Sequence, residues 1–378
     1  MSAKQLRVLQ VVPSLSRAAG VSRFVYNMER YHDEKRVHYD FMHHAIRDGV
    51  YMHKKRYDEE LKARGCSVYP VNYAGDNLRR FMSEVHEAFE KIGFNYDIVH
   101  CHMPNSAFCV LREAELVGIE HRVLHSHLNN SSDKFLHRLR NAPLNAIGKH
   151  YATDCIACSD DAGRFLFGSR PFTVINNGIP LEQFAYDSES RKLLRSELGV
   201  KEADPVVGCV GRLVKQKNFP FAVRVFAKFH EAFPDAKMLI FGDGDDREEL
   251  EGIISSEHLS NVVILVGVRE DINKLYSVMD VFFMPSLYEG LPVSAVEAQA
   301  AGLPCIYSDK VPRETDITDT GVFLSLDDGI GKWANALETA IDNGRLPNNQ
   351  ILLEQRGYSA KANAELLMQH YEQIIRKE

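Results

Sequence analysis

Two basic side chains follow a short apolar run in the middle of the chain. The run Pro205–Gly211 has the composition of a buried strand, Arg212 and Lys217 come after it, and a helical pattern follows at Phe219–Phe233. In doubly wound sheets, ligands bind beyond the carboxyl ends of the strands. A guanidinium fork and an ammonium group there suit a diphosphate, and Gly211 lets the backbone turn tightly before them. The alternative is a pair of solvated loop residues.

A second polar loop carries two glutamates. The apolar run Val281–Pro285 precedes it, and Pro292 suits the first turn of a helix that contains Glu297. Free N–H groups at the start of such a helix attract phosphate. Glu289 lies in a glycine-flanked loop, where its carboxylate can accept hydrogen bonds from sugar hydroxyls, and Glu297 can bind a ribose diol. The alternative for Glu297 is a surface position on the helix.

Four histidines lie at the ends of two strand-like runs in the first half of the chain. Alternation along a strand places His100 and His102 on one face, and it places His125 and His127 together in the same way. Such histidines can bind hydroxyls or polarise a reacting group. A metal site is disfavoured, since no third type of ligand is specified nearby. The loop after His127 continues with three further residues, Leu128–Asn130.

Three further motifs carry weaker signals. Gly20, in the loop Pro13–Val21 after the first strand, would let the backbone approach a phosphate or a sugar. Asp243-Gly244-Asp245 follows a strand and precedes a helix, so a glycine-rich turn is favoured over a metal-binding Asp-x-Asp motif. Cys155-Ile-Ala-Cys158 has no second cysteine pair, which favours buried thiols over zinc or redox chemistry.

Alternating strand and helix patterns predict two α/β domains, each with a doubly wound parallel sheet. The first series begins with a strand at Leu6–Val12, and the alternation restarts at Pro205 after strong turn signals at Asn176–Pro180. The predicted domains are residues 1–179 and 180–359, and a last helix, Ala360–Lys377 within residues 360–378, is expected to pack back onto the first domain.

Charge and cysteine usage set limits on location and partners. Residues 1–180 hold 24 Lys and Arg against 20 Asp and Glu, a balance of +4, and the remaining residues balance to −11. The basic half suits an anionic membrane surface, although ordinary charge scatter explains it equally well. No basic stripe with interleaved aromatic residues favours nucleic acid. Seven scattered cysteines, an odd number, indicate a reducing, cytoplasmic location.

The chain resembles the retaining glycosyltransferases of family 4, which have the GT-B fold of two facing Rossmann-like domains with an interdomain cleft. The resemblance covers nearly the whole chain, and three motifs of the second half carry it in order: Gly211-Arg212-Leu213 with Lys217-Asn218, Phe241-Gly242-Asp243-Gly244, and Pro285-Ser286 with Glu289-Gly290-Leu291-Pro292 and Glu297. The linker Asn176-Asn177-Gly178-Ile179 matches as well. One departure is Ala19-Gly20, where the family has two adjacent glycines.

The resemblance implies a role for each matched position. Arg212 and Lys217 would hold the donor diphosphate, Glu289 the transferred sugar, and Glu297 the ribose. Val268 would lie near the base, and His127 would lie beside the reacting carbon, with His102 on the acceptor side. The other implied donor contacts are Gly20, Gly211, Gly242, Gly290, Leu291 and Val293.

The expected reaction moves a sugar from a nucleotide-sugar, by family frequency a UDP-sugar, to a saccharide or lipid-linked saccharide. It would proceed with retention of anomeric configuration and without a metal or other cofactor, as in capsule or exopolysaccharide synthesis. One alternative is an epimerase, which needs only the nucleotide-sugar, or a phosphorylase, which needs phosphate and a glycoside. Another is a non-catalytic nucleotide-binding scaffold, which has no need of all four charged residues. NAD chemistry is disfavoured because no GxGxxG motif follows a strand.

Overall fold

The computed structural model describes residues 4–17, 19–47, 50–52, 56–73, 77–127, 135–346 and 349–376. The chain divides into two compact units, Met1–Gly178 together with Ser359–Glu378, and Ile179–Tyr358. These boundaries lie one residue away from those expected from the sequence. Ala18, Leu128–Asn130 and Lys377, which belong to segments predicted above, lie outside the described residues.

The N-terminal unit contains a sheet whose described strands are β1 (Leu6–Val12), β2 (Val37–Arg47), β3 (Val50–Tyr51), β4 (Val68–Asn72), β5 (Ile98–Cys101), β6 (His121–Ser126), β7 (Asp154–Ala157) and β8 (Thr173–Val174). Their order is β3-β2-β1-β5-β6-β7-β8, and β4 also pairs with β2. The pairing is parallel except between β2 and β3. The order reverses between β1 and β5, which is where such sheets bind ligands.

The helices of this unit before the linker are α1 (Gly20–Tyr31), α2 (Asp58–Ala63), α3 (Leu78–Ile92), α4 (Ala107–Leu116), α5 (Phe135–Tyr151) and α6 (Asp160–Phe167). One face of the sheet packs against α3 and α4, through buried residues such as Val11, Val99, Phe81 and Val110. Phe24 of α1 is buried against the opposite face. The odd and even residues of the central strands therefore enter two separate cores.

The C-terminal unit has six described strands, β9 (Val206–Val210), β10 (Lys237–Phe241), β11 (Val263–Gly267), β12 (Val281–Met284), β13 (Cys305–Ser308) and β14 (Val322–Leu324). All pairs are parallel, in the order β11-β10-β9-β12-β13-β14. This is the strand order of a dinucleotide-binding sheet, and it reverses between β9 and β12. The prediction of a doubly wound sheet in each unit is confirmed.

The remaining helices are α7 (Ser188–Glu197), α8 (Phe219–His230), α9 (Arg247–Ser256), α10 (Ile272–Leu275), α11 (Val293–Ala300), α12 (Ile330–Asn343), α13 (Asn349–Gln355) and α14 (Ala360–Ile375). The last, α14, belongs to the N-terminal unit, as expected. Ser359 caps it by accepting a hydrogen bond from the N–H of Ala362. Leu367 and Tyr371 of α14 are buried in the same core as Phe24, so α14 covers the sheet beside α1.

The seven cysteines are all buried and unpaired. Burial raises the pKa of Cys155 and of Cys158 to about 11, so both remain thiols near neutral pH. This agrees with the expectation of buried thiols at the CxxC motif.

Candidate active site

The C-terminal unit brings the two charged loops of the sequence together beside its switch point. Strands β9 and β12 are neighbours, so the loops that leave their carboxyl ends meet at one edge of the sheet. Lys217 Nζ lies 2.6 Å from Glu289 Oε1. The side chains are only 14% and 7% exposed, so this ion pair is much better shielded from water than a surface pair.

Gln216 links the same two loops, and the sequence did not single it out. Its Nε2 donates to Glu289 Oε2 at 3.1 Å and to the Tyr288 carbonyl at 3.0 Å. Its own carbonyl accepts from the N–H of Leu287 at 2.8 Å. Both oxygens of Glu289 are therefore held, one by Lys217 and one by Gln216. A glutamine between two lysines carries no signal of this role until the second loop is in place.

Arg212 differs from Lys217 in its surroundings. It is exposed, and its side chain makes no hydrogen bond or ion pair with any other residue that the structure describes. Its guanidinium is available to an anion without first breaking a bond, whereas Lys217 must share its charge with Glu289. Two cations at one strand end, one free and one paired, suit a ligand with more than one negative charge.

Glu297 is buried, so the alternative of a surface helix residue is wrong. It is 2% exposed, and its Oε2 accepts a hydrogen bond of 2.7 Å from the hydroxyl of Tyr276. The helix that carries it, α11, begins at Val293 after Pro292 without a side-chain cap. The N–H of Ala295 donates to the Pro292 carbonyl, whereas the N–H groups of Val293 and Ser294 precede the first bond of the helix. Tyr276 is a second residue that the sequence did not single out.

Other predicted donor contacts lie on this part of the surface. Val268, just after β11, is 68% exposed. A Cβ atom at Gly290 would meet nothing within 4 Å, so packing does not require glycine there. Leu291 and Val293 are half-buried. Their proximity to a bound nucleotide remains a prediction.

Gly242 has a structural reason to be glycine. Its φ is +140°, and a Cβ there would lie 1.9 Å from the carbonyl oxygen of Gly211. Gly244 is similarly close to the Leu213 carbonyl, at 2.3 Å. The N–H of Leu213 also donates to the Asp243 carbonyl. The Asp243–Asp245 segment is therefore a turn that supports the Arg212 loop, as the turn interpretation expected.

In the N-terminal unit the four histidines form one cluster at the switch point between β1 and β5. The rings of His100 and His102 stack at 4.2 Å, and those of His125 and His127 at 4.0 Å. His102 Nδ1 lies 2.7 Å from His127 Nε2, and His100 Nε2 lies 3.1 Å from His125 Nδ1. Phe24 of α1 covers the cluster, with its ring 5.3 Å from those of His125 and His127.

Three ring nitrogens of the cluster lie close enough together to bind one metal ion. Ring nitrogens of His100, His102 and His125 all lie within 4.8 Å of one another. All three ligands are histidines, which come together only across two strands, and the expectation that this is not a metal site stays a prediction. Burial lowers the pKa of His127 to about 4 and holds those of His100 and His102 well below their usual value. The rings are therefore neutral near pH 7.

Gly20 is the first residue of α1, and nothing lies within 4 Å of where its Cβ would stand. Ala19 precedes the helix with an extended backbone and provides no side-chain cap. Packing does not demand glycine at position 20, which leaves room there for a ligand.

Comparison with known proteins assigns the class that this fold and these loops define. Residues 18–183 match the sequence profile described as Glycosyltransferase Family 4, and residues 190–355 match that described as Glycosyl transferases group 1. EpsF of Bacillus subtilis (strain 168), whose name describes a glycosyltransferase, is 32% identical over 98% of this chain and 97% of its own. The chain belongs to the family 4 glycosyltransferases and has the GT-B fold.

Two further comparisons show a sequence likeness over part of the chain and a likeness of fold over nearly all of it. A UDP-Gal:alpha-D-GlcNAc-diphosphoundecaprenol alpha-1,3-galactosyltransferase of Escherichia coli is 36% identical over 45% of each chain. The crystal structure of HepE of Anabaena in complex with UDP-glucose has a TM-score of 0.73 over 99% of this chain and 100% of that one, at 17% identity, which is a likeness of fold. Among the described residues, no helix is both long and apolar enough to cross a bilayer.

Proposed function

We propose that this glycosyltransferase moves a hexosyl group from a UDP-sugar to a saccharide or lipid-linked saccharide acceptor, with retention of anomeric configuration. The observation that carries the proposal is the Lys217–Glu289 pair, held with Arg212 at the switch point of the C-terminal unit. A cation for the diphosphate and a carboxylate for the sugar hydroxyls lie 2.6 Å apart, as the two halves of one donor would require. Curated relatives and fold neighbours whose names contain UDP-sugars favour that donor.

In this mechanism Arg212 and Lys217 stabilise the charge that grows on the departing diphosphate. The bond from the anomeric carbon to the phosphate oxygen breaks while the acceptor oxygen bonds to the same face of that carbon. The departing phosphate takes the acceptor proton, so this mechanism needs no side-chain base, and attack on the same face needs no side-chain nucleophile. Glu289 orients the sugar. The protein supplies its own positive charge, and we propose that turnover needs no metal.

The first test is a transfer assay with UDP-, GDP- and ADP-sugars in the presence of EDTA. We expect turnover with UDP-sugar alone, unchanged by EDTA, and a product whose anomeric configuration by NMR equals that of the donor. Glu289→Ala should abolish turnover, whereas Glu248→Ala, on the exposed first turn of α9, should not. Inversion, or activity restored only by a divalent ion, would contradict the mechanism. Formation of an epimeric nucleotide-sugar without acceptor would favour the epimerase alternative.

A lipid-linked acceptor is supported by the surface of the N-terminal unit. At the start of α3, Leu78 and Met82 are exposed beside Arg79 and Arg80. Apolar and cationic side chains on one helix suit the surface of an anionic bilayer. We propose peripheral contact there. Sedimentation with phosphatidylglycerol vesicles should fall as salt rises and should be weaker for the Arg79→Ala/Arg80→Ala variant. Equal sedimentation with phosphatidylcholine vesicles would refute an electrostatic contact.

A further inference from the structure

Gln216 makes three hydrogen bonds between the loop after β9 and the loop of residues 285–292 after β12, called here the glutamate loop. Its carbonyl accepts a bond of 2.8 Å from the N–H of Leu287. Its side-chain Nε2 donates to the Tyr288 carbonyl at 3.0 Å and to Glu289 Oε2 at 3.1 Å. Three successive residues of the glutamate loop are therefore bonded to one glutamine.

The chemistry of these partners fixes the orientation of the Gln216 amide. A backbone carbonyl and an ionised carboxylate can only accept hydrogen bonds. If the amide were turned, its own oxygen would face both of these oxygens, and neither contact would contain a hydrogen atom. The NH2 group therefore faces Glu289, and its two hydrogens match two acceptors.

The two partners of Glu289 hold different oxygens of its carboxylate. Lys217 Nζ lies 2.6 Å from Oε1, and Gln216 Nε2 holds Oε2. The described residues offer this carboxylate no other hydrogen bond or ion pair. The position of the Glu289 side chain thus depends on one cation and one neutral amide.

A bound diphosphate would act differently on these two partners. A phosphate oxygen would compete for the ammonium group of Lys217, which then divides its charge between two anions. The amide of Gln216 is neutral, so an anion competes for it less strongly. The phosphate charge would also repel the carboxylate of Glu289. With the diphosphate in place, the bond to Oε2 is therefore the contact that keeps Glu289 in position.

We propose that Gln216 is a positioning residue for the donor sugar. It holds Glu289 by Oε2 while the diphosphate occupies Lys217, and Oε1 is then left to accept a hydrogen bond from a sugar hydroxyl. This inference rests on the proposed function, in which Lys217 binds the diphosphate and Glu289 binds the sugar. Its consequence is that Gln216 affects binding of the sugar, whereas Lys217 affects binding of both halves of the donor.

The first test observes the Gln216 side-chain amide by NMR of the 15N-labelled protein, with Gln216→Met used to assign its signals. In the free protein we expect the hydrogens of this amide to be protected from exchange with solvent. Glu289→Ala should reduce this protection, because one acceptor is lost. Addition of UDP to the wild type should leave the protection in place, since the bond to Oε2 persists.

The second test compares binding of UDP and of UDP-sugar by calorimetry, together with turnover. Gln216→Met keeps the length of the side chain and removes the amide. It should change the affinity for UDP by less than about twofold, and lower the ratio of UDP-sugar to UDP affinity roughly tenfold, as loss of a hydrogen bond to a charged group does. The kcat should fall as well, because the sugar is less well oriented.

Asn218→Gly is the matched control for the link between the loops. Asn218 Nδ2 donates to the Pro285 carbonyl at 3.1 Å, so this variant also removes a hydrogen bond between the same two loops without touching Glu289. Glycine tolerates the φ of +54° at this position. The ratio of affinities and the kcat should remain those of the wild type.

Three results would overturn the inference. One is a Gln216→Met variant that keeps the affinity ratio and kcat of the wild type. Another is equal weakening of UDP and UDP-sugar, or the same loss in Asn218→Gly, which would make Gln216 a support of the loop alone. The third is loss of exchange protection at Gln216 when UDP binds. Absence of UDP binding would instead count against the proposed donor, and the inference would be decided with the nucleotide that does bind.

Discussion

Replacing Glu289 by glutamine should tighten the binding of UDP while it impairs sugar transfer. In the ligand-free protein the Glu289 carboxylate competes for Lys217 at 2.6 Å. A phosphate oxygen bound to Lys217 would lie about 5 Å from that carboxylate, where the repulsion is about 3 kcal/mol at an effective dielectric constant of about 20. Solvent in an open site reduces this toward about 1 kcal/mol. Removal of the charge should therefore strengthen UDP binding by between about fivefold and about a hundredfold.

The same substitution acts in the opposite sense on the sugar. If Glu289 accepts hydrogen bonds from sugar hydroxyls, the variant loses charge-assisted bonds of about 1.5–3 kcal/mol. The ratio of UDP-sugar to UDP affinity should fall accordingly. Calorimetric titration of both ligands measures this directly. Lys217→Met should weaken both ligands, and Lys215→Met, which removes an exposed lysine from the same turn, should weaken neither. Weaker UDP binding by Glu289→Gln than by the wild type would refute the competition.

Three further predictions concern support and stability. Tyr276→Phe should lower the free energy of unfolding by about 1.5 kcal/mol and reduce the preference for UDP over 2′-deoxy-UDP, because Glu297 loses a bond of 2.7 Å; calorimetry with both nucleotides checks this. Gly242→Ala should cost about 3 kcal/mol in urea unfolding, whereas Gly290→Ala should cost little. Burial lowers the pKa of His44 from 6.5 to about 4, so between these pH values the unfolded chain binds a proton that the folded chain does not. The free energy of unfolding therefore decreases as the pH is lowered from 6.5 to 4. In His44→Leu this decrease should be smaller by about 3 kcal/mol, as measured by urea unfolding at both pH values.

The loops of the C-terminal unit were predictable because their signals are local. A buried strand, a glycine and a cation lie within a few residues at Gly211–Lys217, and the glutamate loop has the same form. Gln216 and Tyr276 escaped notice because their roles need a partner 73 and 21 residues away. The burial of Glu297 was likewise undecidable from a helical pattern, because the pattern does not show which side a neighbouring residue will cover.

The histidines show the same limit of sequence reasoning, which found contacts within a strand but not those between strands. Alternation along single strands predicted that His100 pairs with His102 and His125 with His127. Whether the two pairs meet depends on which strands are neighbours. Sequence reasoning thus found the histidines of this cluster but not the hydrogen bonds between them.

The two units place their polar residues by one rule and use them differently. Each sheet reverses its strand order once, between β1 and β5 in one unit and between β9 and β12 in the other, and each candidate site lies at that reversal. In the C-terminal unit the polar groups are charged, and the side chain of Arg212 is exposed and makes no bond to another described residue. In the N-terminal unit they are neutral, buried except for the half-buried His127, and already bonded to one another. The exposed cation of the C-terminal unit suits the diphosphate of the proposed donor, because charge is best placed where it need not first leave a partner.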